Sequence, residues 1–170
     1  KVKMLSTSLT SIDKDVTLLL IAHPPHLTTP AQYAIDQFVL KGGHAMVFVD
    51  PFAELQQGPN GPMGMADPGE VKSSTLPELF KAWGVEMLTD KFVADRKLAI
   101  QVAMGSSAQR QVEDYVAWLA LGADNHASQD VVTSDLGTVD MGTAGSLTQA
   151  QGATTKFEPL LWSSHQASLM

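Results

Sequence analysis

Three short stretches decide the architecture of the first third of the chain: Val16-Thr17-Leu18-Leu19-Leu20-Ile21-Ala22, Thr29-Pro30-Ala31-Gln32 and Ala45-Met46-Val47-Phe48-Val49-Asp50. The first and third are apolar without alternation, the pattern of strands buried on both faces. Asp15 bounds the first run and His23-Pro24-Pro25 ends it; Asp50-Pro51 ends the other. Between them lies a helix. Thr29 is its expected cap, Pro30 takes the first helical position, and Gln32 completes a Thr-x-x-Gln capping box. Ala31, Ala34, Ile35, Phe38 and Val39 then fall on one apolar stripe, and Gly42-Gly43 stops the helix. Two apolar strands joined by an amphipathic helix make a βαβ unit, and hence a parallel pair expected to be covered on both faces.

Working outward, the composition changes after the second strand. Four glycines and three prolines fall within residues 56–69, which predicts a mobile loop over 56–74. A second helix is expected from Thr75, with Glu78 as its box partner and Leu76, Leu79, Phe80 and Trp83 as its buried stripe. Gly84 ends it. Residues 85–88, 92–94 and 98–104 read as short strands, and 112–121 fits helix or strand. Residues 122–154 read as loops around short strands such as 130–133, and 157–163 as a final strand. The sequence is thus expected to form one α/β domain over 1–170. Because it begins at Lys1 without a leader pattern, it reads as a fragment or mature form of a longer chain.

Bulk properties remove several functions. The 170 residues carry a net charge of −7, from 11 basic and 18 acidic side chains, which argues against nucleic acid or an anionic membrane as the main ligand. Mean hydropathy is +0.01, and the longest apolar run falls far short of the ~20 residues of a spanning helix. There is no cysteine, so disulfides, thiolate metal sites and cysteine nucleophiles are all excluded. No Gly-x-Gly-x-x-Gly or P-loop occurs, and no Gly-x-Ser-x-Gly marks a nucleophile elbow.

The order Leu19-Leu20-Ile21-Ala22-His23-Pro24, Ala34-Ile35-Asp36-Gln37-Phe38-Val39-Leu40-Lys41-Gly42-Gly43 and Val47-Phe48-Val49-Asp50-Pro51 resembles the gliding-motility-type auxiliary component of ABC transporters. The resemblance continues through Leu76–Val85, Asp95-Arg96-Lys97, Val131–Gly137 and Pro159–Ser164, so it covers most of 16–165. It implies a flavodoxin-like fold similar to class I glutamine amidotransferases: a three-layer sandwich with a mainly parallel sheet, used without the amidotransferase chemistry. It also implies a non-catalytic domain working with permease and ATPase subunits, with carbohydrate as a further candidate ligand; the residues call for no cofactor, and a metal held by His23, His26 and Asp50 is disfavoured because the two prolines resist the curl it needs. The domain would lie on the extracytoplasmic (periplasmic) face, touching the membrane only through segments outside this chain. His23 departs from the pattern, where a small residue is more common.

The candidate ligand-binding residues are His23, His26, Asp50, Asp95, Arg96, Asn125, His126 and Ser163. His23 and His26 flank two prolines just beyond the first strand, at the carboxyl edge where parallel sheets place their ligands, and Asp50 ends the neighbouring strand. The plainer readings are a rigid loop for the histidines, a turn cap for Asp50 and a surface ion pair for Asp95-Arg96. Asn125, His126 and Ser163 add polar groups in or near loops. A triad from Ser106 or Ser163, His126 and Asp124 can be assembled only on paper. Trp83 reads as core, whereas an exposed Trp118 or Trp162 would suit stacking on a sugar ring. Two readings compete with the binding module: a hydrolase or transferase built on His23 and Asp50, and a structural spacer.

Overall fold

The computed structural model describes residues 2–24, 27–53, 73–105 and 111–170. Strand β1 (Leu18–Ala22), helix α1 (Thr29–Leu40) and strand β2 (His44–Phe48) form the expected βαβ unit. β1 and β2 pair in parallel, from Leu18 opposite His44 to Ala22 opposite Phe48. The helix starts one residue earlier than its sequence punctuation suggests. Thr28 is the cap and accepts from the Ala31 N–H at 3.4 Å, while Gln32 donates to the Leu27 carbonyl instead of closing a box. At the other end Gly42 takes φ 91° and Gly43 N–H returns to the Phe38 carbonyl.

The core is built on one face of this unit. Leu19 and Ile21 of β1 meet Ile35 of α1, and Leu79 and Phe80 of α2 (Pro77–Trp83), with Leu76 just before that helix, close over them. Trp83 Nε1 donates to Asp36 Oδ1 at 3.2 Å and ties the two helices together. Gly84 ends α2 at φ 75°. A Cβ there would strike Ala153 and the Thr155 hydroxyl, which itself donates to the Trp83 carbonyl.

Beyond α2 the expected three-layer sandwich with a mainly parallel sheet is overturned. Strand β3 (Val85–Met87) pairs antiparallel with β8 (Leu147–Gln149), and β4 (Val93–Asp95) with β9 (Ala167–Leu169). Strands β5 (Ala99–Met104), β6 (Gln111–Leu121) and β7 (Val139–Gly142) form a third antiparallel sheet. Among the described residues there are two α-helices and one parallel pair. Connection length is the physical reason. A parallel crossover needs a dozen or more residues, whereas only six separate Met104 from Gln111, so β6 must return beside β5. Most later strands are also three or four residues long and alternate or stay exposed, unlike the doubly covered strands of a parallel sheet.

Other expectations are corrected in detail. Residues 112–121 are strand, with a large register shift that pairs Ala99 with Leu119 but Ile100 with Tyr115. The strand expected over 130–133 is a bend at Asp130 followed by turns over 131–135, and 157–163 supply only a bridge from Leu161 to His126. The loop expected over 56–74 lies outside the described residues except for Ser73 and Ser74, and Ser74 is fully buried. Among the described residues no helix is long and apolar enough to cross a membrane.

Candidate functional site

The carboxyl edge of the parallel pair brings His23 and Asp50 together around a residue that sequence reasoning missed. His23 follows β1 with φ 43°, in the left-handed region that costs a non-glycine residue strain. Its N–H donates to the Phe48 carbonyl at 2.9 Å, and its Nδ1 lies 2.9 Å from Ser74 Oγ. Ser74 Oγ accepts the Asp50 N–H at 3.0 Å, and the two residues also form an antiparallel bridge. Asp50 Oδ1 accepts the Phe52 N–H at 2.8 Å, a local turn cap across Pro51. Nearby, Thr143 Oγ1 donates to the Phe52 carbonyl at 2.8 Å from another strained position, φ 43°. These polar groups hold one another. Ser74, wholly shielded from solvent, is not placed as an attacking nucleophile.

The remaining candidates stand elsewhere. Asp95 is 1% exposed. Its oxygens accept the Ser164 N–H at 2.7 Å, the Ser164 hydroxyl at 2.8 Å, and the Lys97 and Leu98 N–H groups at 2.9 and 3.3 Å. Burial opposes the charged form, but the Ser164 hydroxyl and these backbone donors outweigh it and hold the carboxyl below the usual carboxylate range. Arg96, the ion-pair partner suggested by sequence, is exposed and forms no part of this cluster. Asn125 donates from Nδ2 to the Trp162 carbonyl, whose own N–H returns to the Asn125 carbonyl. His126 is buried beside this exchange, and its Nδ1 meets no hydrogen-bond partner among the described residues. Ser163 lies between the two clusters and is half-buried. Residues 160–164 thus clasp the last segment onto β4 and the 3₁₀ turn Ala123–Asn125. His26 and Ser106 lie outside the described residues, as do Met63 and Met65 of the expected loop. Among the described residues no three His, Cys, Asp or Glu side chains gather as metal ligands.

What the polar residues do not supply, an apolar surface does. Alternation along β1 and β2 sends Leu19, Ile21, Ala45 and Val47 to the core face and Leu18, Leu20, Ala22, His44, Met46 and Phe48 to the other. The second face is open: Leu18 and Leu20 are each 62% exposed, Phe48 52% and Met46 46%. Among the described residues no element covers this second face, against the expectation of cover on both sides. A second exposed apolar feature lies on β6. Its register shift puts Tyr115 and Trp118 on one side, ring centres 5.4 Å apart and nearly perpendicular.

Neither the search of curated proteins nor that of solved structures returned a match. The description of the matching family model names neither gliding motility nor carbohydrate. That model, described as ABC-type uncharacterized transport system, matches residues 1–170, so the chain belongs to this family as an auxiliary component of an ABC-type transport system.

Proposed function

We propose that the chain is a non-catalytic, partner-binding domain of its transport system, docking on a permease subunit through the open face of β1 and β2. One observation carries this reading: Leu18, Leu20, Met46 and Phe48 form a contiguous apolar surface on strands whose composition suits burial on both sides. Their exposure amounts to on the order of 400 Å², as large as the biggest patch on ordinary monomers, and such patches are commonly functional. These 170 residues hold no P-loop, so ATP hydrolysis takes place outside them. We place the domain on the extracytoplasmic face as part of the same proposal. A hydrolase or transferase at His23 and Asp50 is disfavoured, since both are engaged with buried Ser74 and Phe52.

Co-purification tests the proposal. The chain, co-expressed with the permease and ATPase subunits of its system, should be retained by a tagged permease. Leu20→Asp and Phe48→Asp should fold and lose that retention at least tenfold. Undiminished retention of both variants would contradict the docking face. The Tyr115–Trp118 pair favours carbohydrate as a second reading, because exposed aromatic faces stack on sugar rings. Calorimetric titration with oligosaccharides, compared with Trp118→Ala, decides it: binding heat lost in the variant supports a sugar site, and no heat removes the reading.

A further inference from the structure

A cleft between α2 and β3 shares no residue with the open β1–β2 face. The geometry points to it as a binding site for an extended peptide that presents one bulky apolar side chain. The strand supplies the backbone half of such a site. The Ala150 N–H donates to the Gly84 carbonyl at 2.9 Å, and the register runs on with Val85 opposite Gln149 and Glu86 opposite Thr148. Hydrogen-bonded and non-hydrogen-bonded positions alternate along an antiparallel pair. Glu86 therefore turns its N–H and C=O toward β8, while Val85 and Met87 turn theirs away from it. Among the described residues nothing pairs with those outward groups, and β3 has no second strand beside it. Such an edge is a template for one more extended chain.

The cleft supplies the side-chain half. It encloses about 250 Å³ between Leu76 and Phe80 on the helix side and Val85, Glu86 and Met87 on the strand. Alternate residues of a strand point to opposite faces, so lining by three consecutive ones means that the strand's backbone edge borders the space. The volume lies below the ~300 Å³ where pockets for drug-sized molecules begin, and equals about eight waters at ~30 Å³ each. It has room for a single large side chain. Exposed Lys81 and Glu86 stand at the rim and enter no ion pair among the described residues, which favours opposite charges flanking the apolar residue. Other ligands use only half of the site. A helix has its backbone groups paired internally and leaves the β3 edge unpaired. A small apolar molecule fills the cleft and does the same.

Fluorescence anisotropy with the full chain tests the inference. The probes are labelled peptides Glu-Val-X-Val-Lys, with X as Phe, Leu, Met or Ala. At least one of the three large residues should bind at least tenfold more tightly than Ala. N-methylation of alternate peptide amides should abolish binding, whereas methylation of the intervening ones should leave it unchanged. Amide exchange at Val85 and Met87, followed by NMR, should slow at least tenfold in the complex. Leu20→Asp, on the β1–β2 face, should leave peptide affinity unchanged, which separates this site from the docking surface. No binding, equal binding of all four peptides, insensitivity to N-methylation, or unaltered exchange at Val85 and Met87 would each overturn the inference.

Discussion

Removing the Asp95 carboxylate should cost the fold a large part of its stability. Asp95→Ala deletes the acceptor for four hydrogen bonds: two from Ser164 and one each from the Lys97 and Leu98 N–H groups. Hydrogen bonds to a charged group contribute about 1.5–3 kcal/mol each, but they are not additive, and the exposed neighbours Arg96 and Lys97 leave water a route to some donors. The expected loss is therefore about 3–5 kcal/mol, against the ~5–15 kcal/mol of a typical domain. In thermal unfolding this is a fall of roughly 10 °C for a chain of this size. Asp95→Asn keeps one acceptor oxygen and should lose about half as much. The pH dependence follows from the lowered carboxyl. Its contribution is complete above the unfolded value near 3.8 and disappears as pH falls through the lower folded value. The difference between wild type and Asp95→Asn should thus be constant near neutrality and shrink below about pH 4. Urea titration at several pH values measures both. An Asp95→Ala variant within ~0.5 kcal/mol of wild type at pH 7 would refute the clasp.

Two further predictions separate the covered and open sides of the fold. Gly84→Ala combines a left-handed backbone with a collision against Ala153 and Thr155, and should destabilise by about 1–3 kcal/mol in urea unfolding. Leu19→Ala should cost ~2–4 kcal/mol, whereas Leu20→Ala, one residue away on the open face, should change stability by less than ~1 kcal/mol. Equal losses at Leu19 and Leu20 would mean that Leu20 is covered within the chain.

The βαβ unit was legible because its signals are local. Apolar runs of strand length, Pro30 inside the helix start and Gly42 after its end all agree, and an error of one residue at the cap changes nothing downstream. The carboxyl-edge meeting of His23 and Asp50 was legible for the same reason, since parallel pairing alone sets those strand ends side by side. Its hub was not: Ser74 is 24 residues from Asp50, and no pattern around it announces burial. Asp95 misled because a carboxylate followed by Arg96 looks like an ion pair, while its actual partner stands 69 residues away. The later sheets were hidden by short strands and by the register shift in β6, which breaks the alternation that identifies a strand. The resemblance located the family but misjudged the architecture, since one parallel pair does not continue into a parallel sheet.

Thiol labelling at the open face tests the account most directly. The chain has no cysteine, so Met46→Cys supplies a single reporter in the middle of the proposed docking surface, and Gln151→Cys serves as an exposed control. In the isolated chain both should react with a hydrophilic maleimide at similar rates. In the assembled transport complex the Met46→Cys reaction should slow at least tenfold while Gln151→Cys is unchanged. Equal Met46→Cys rates in the isolated chain and in the complex would contradict docking through this face.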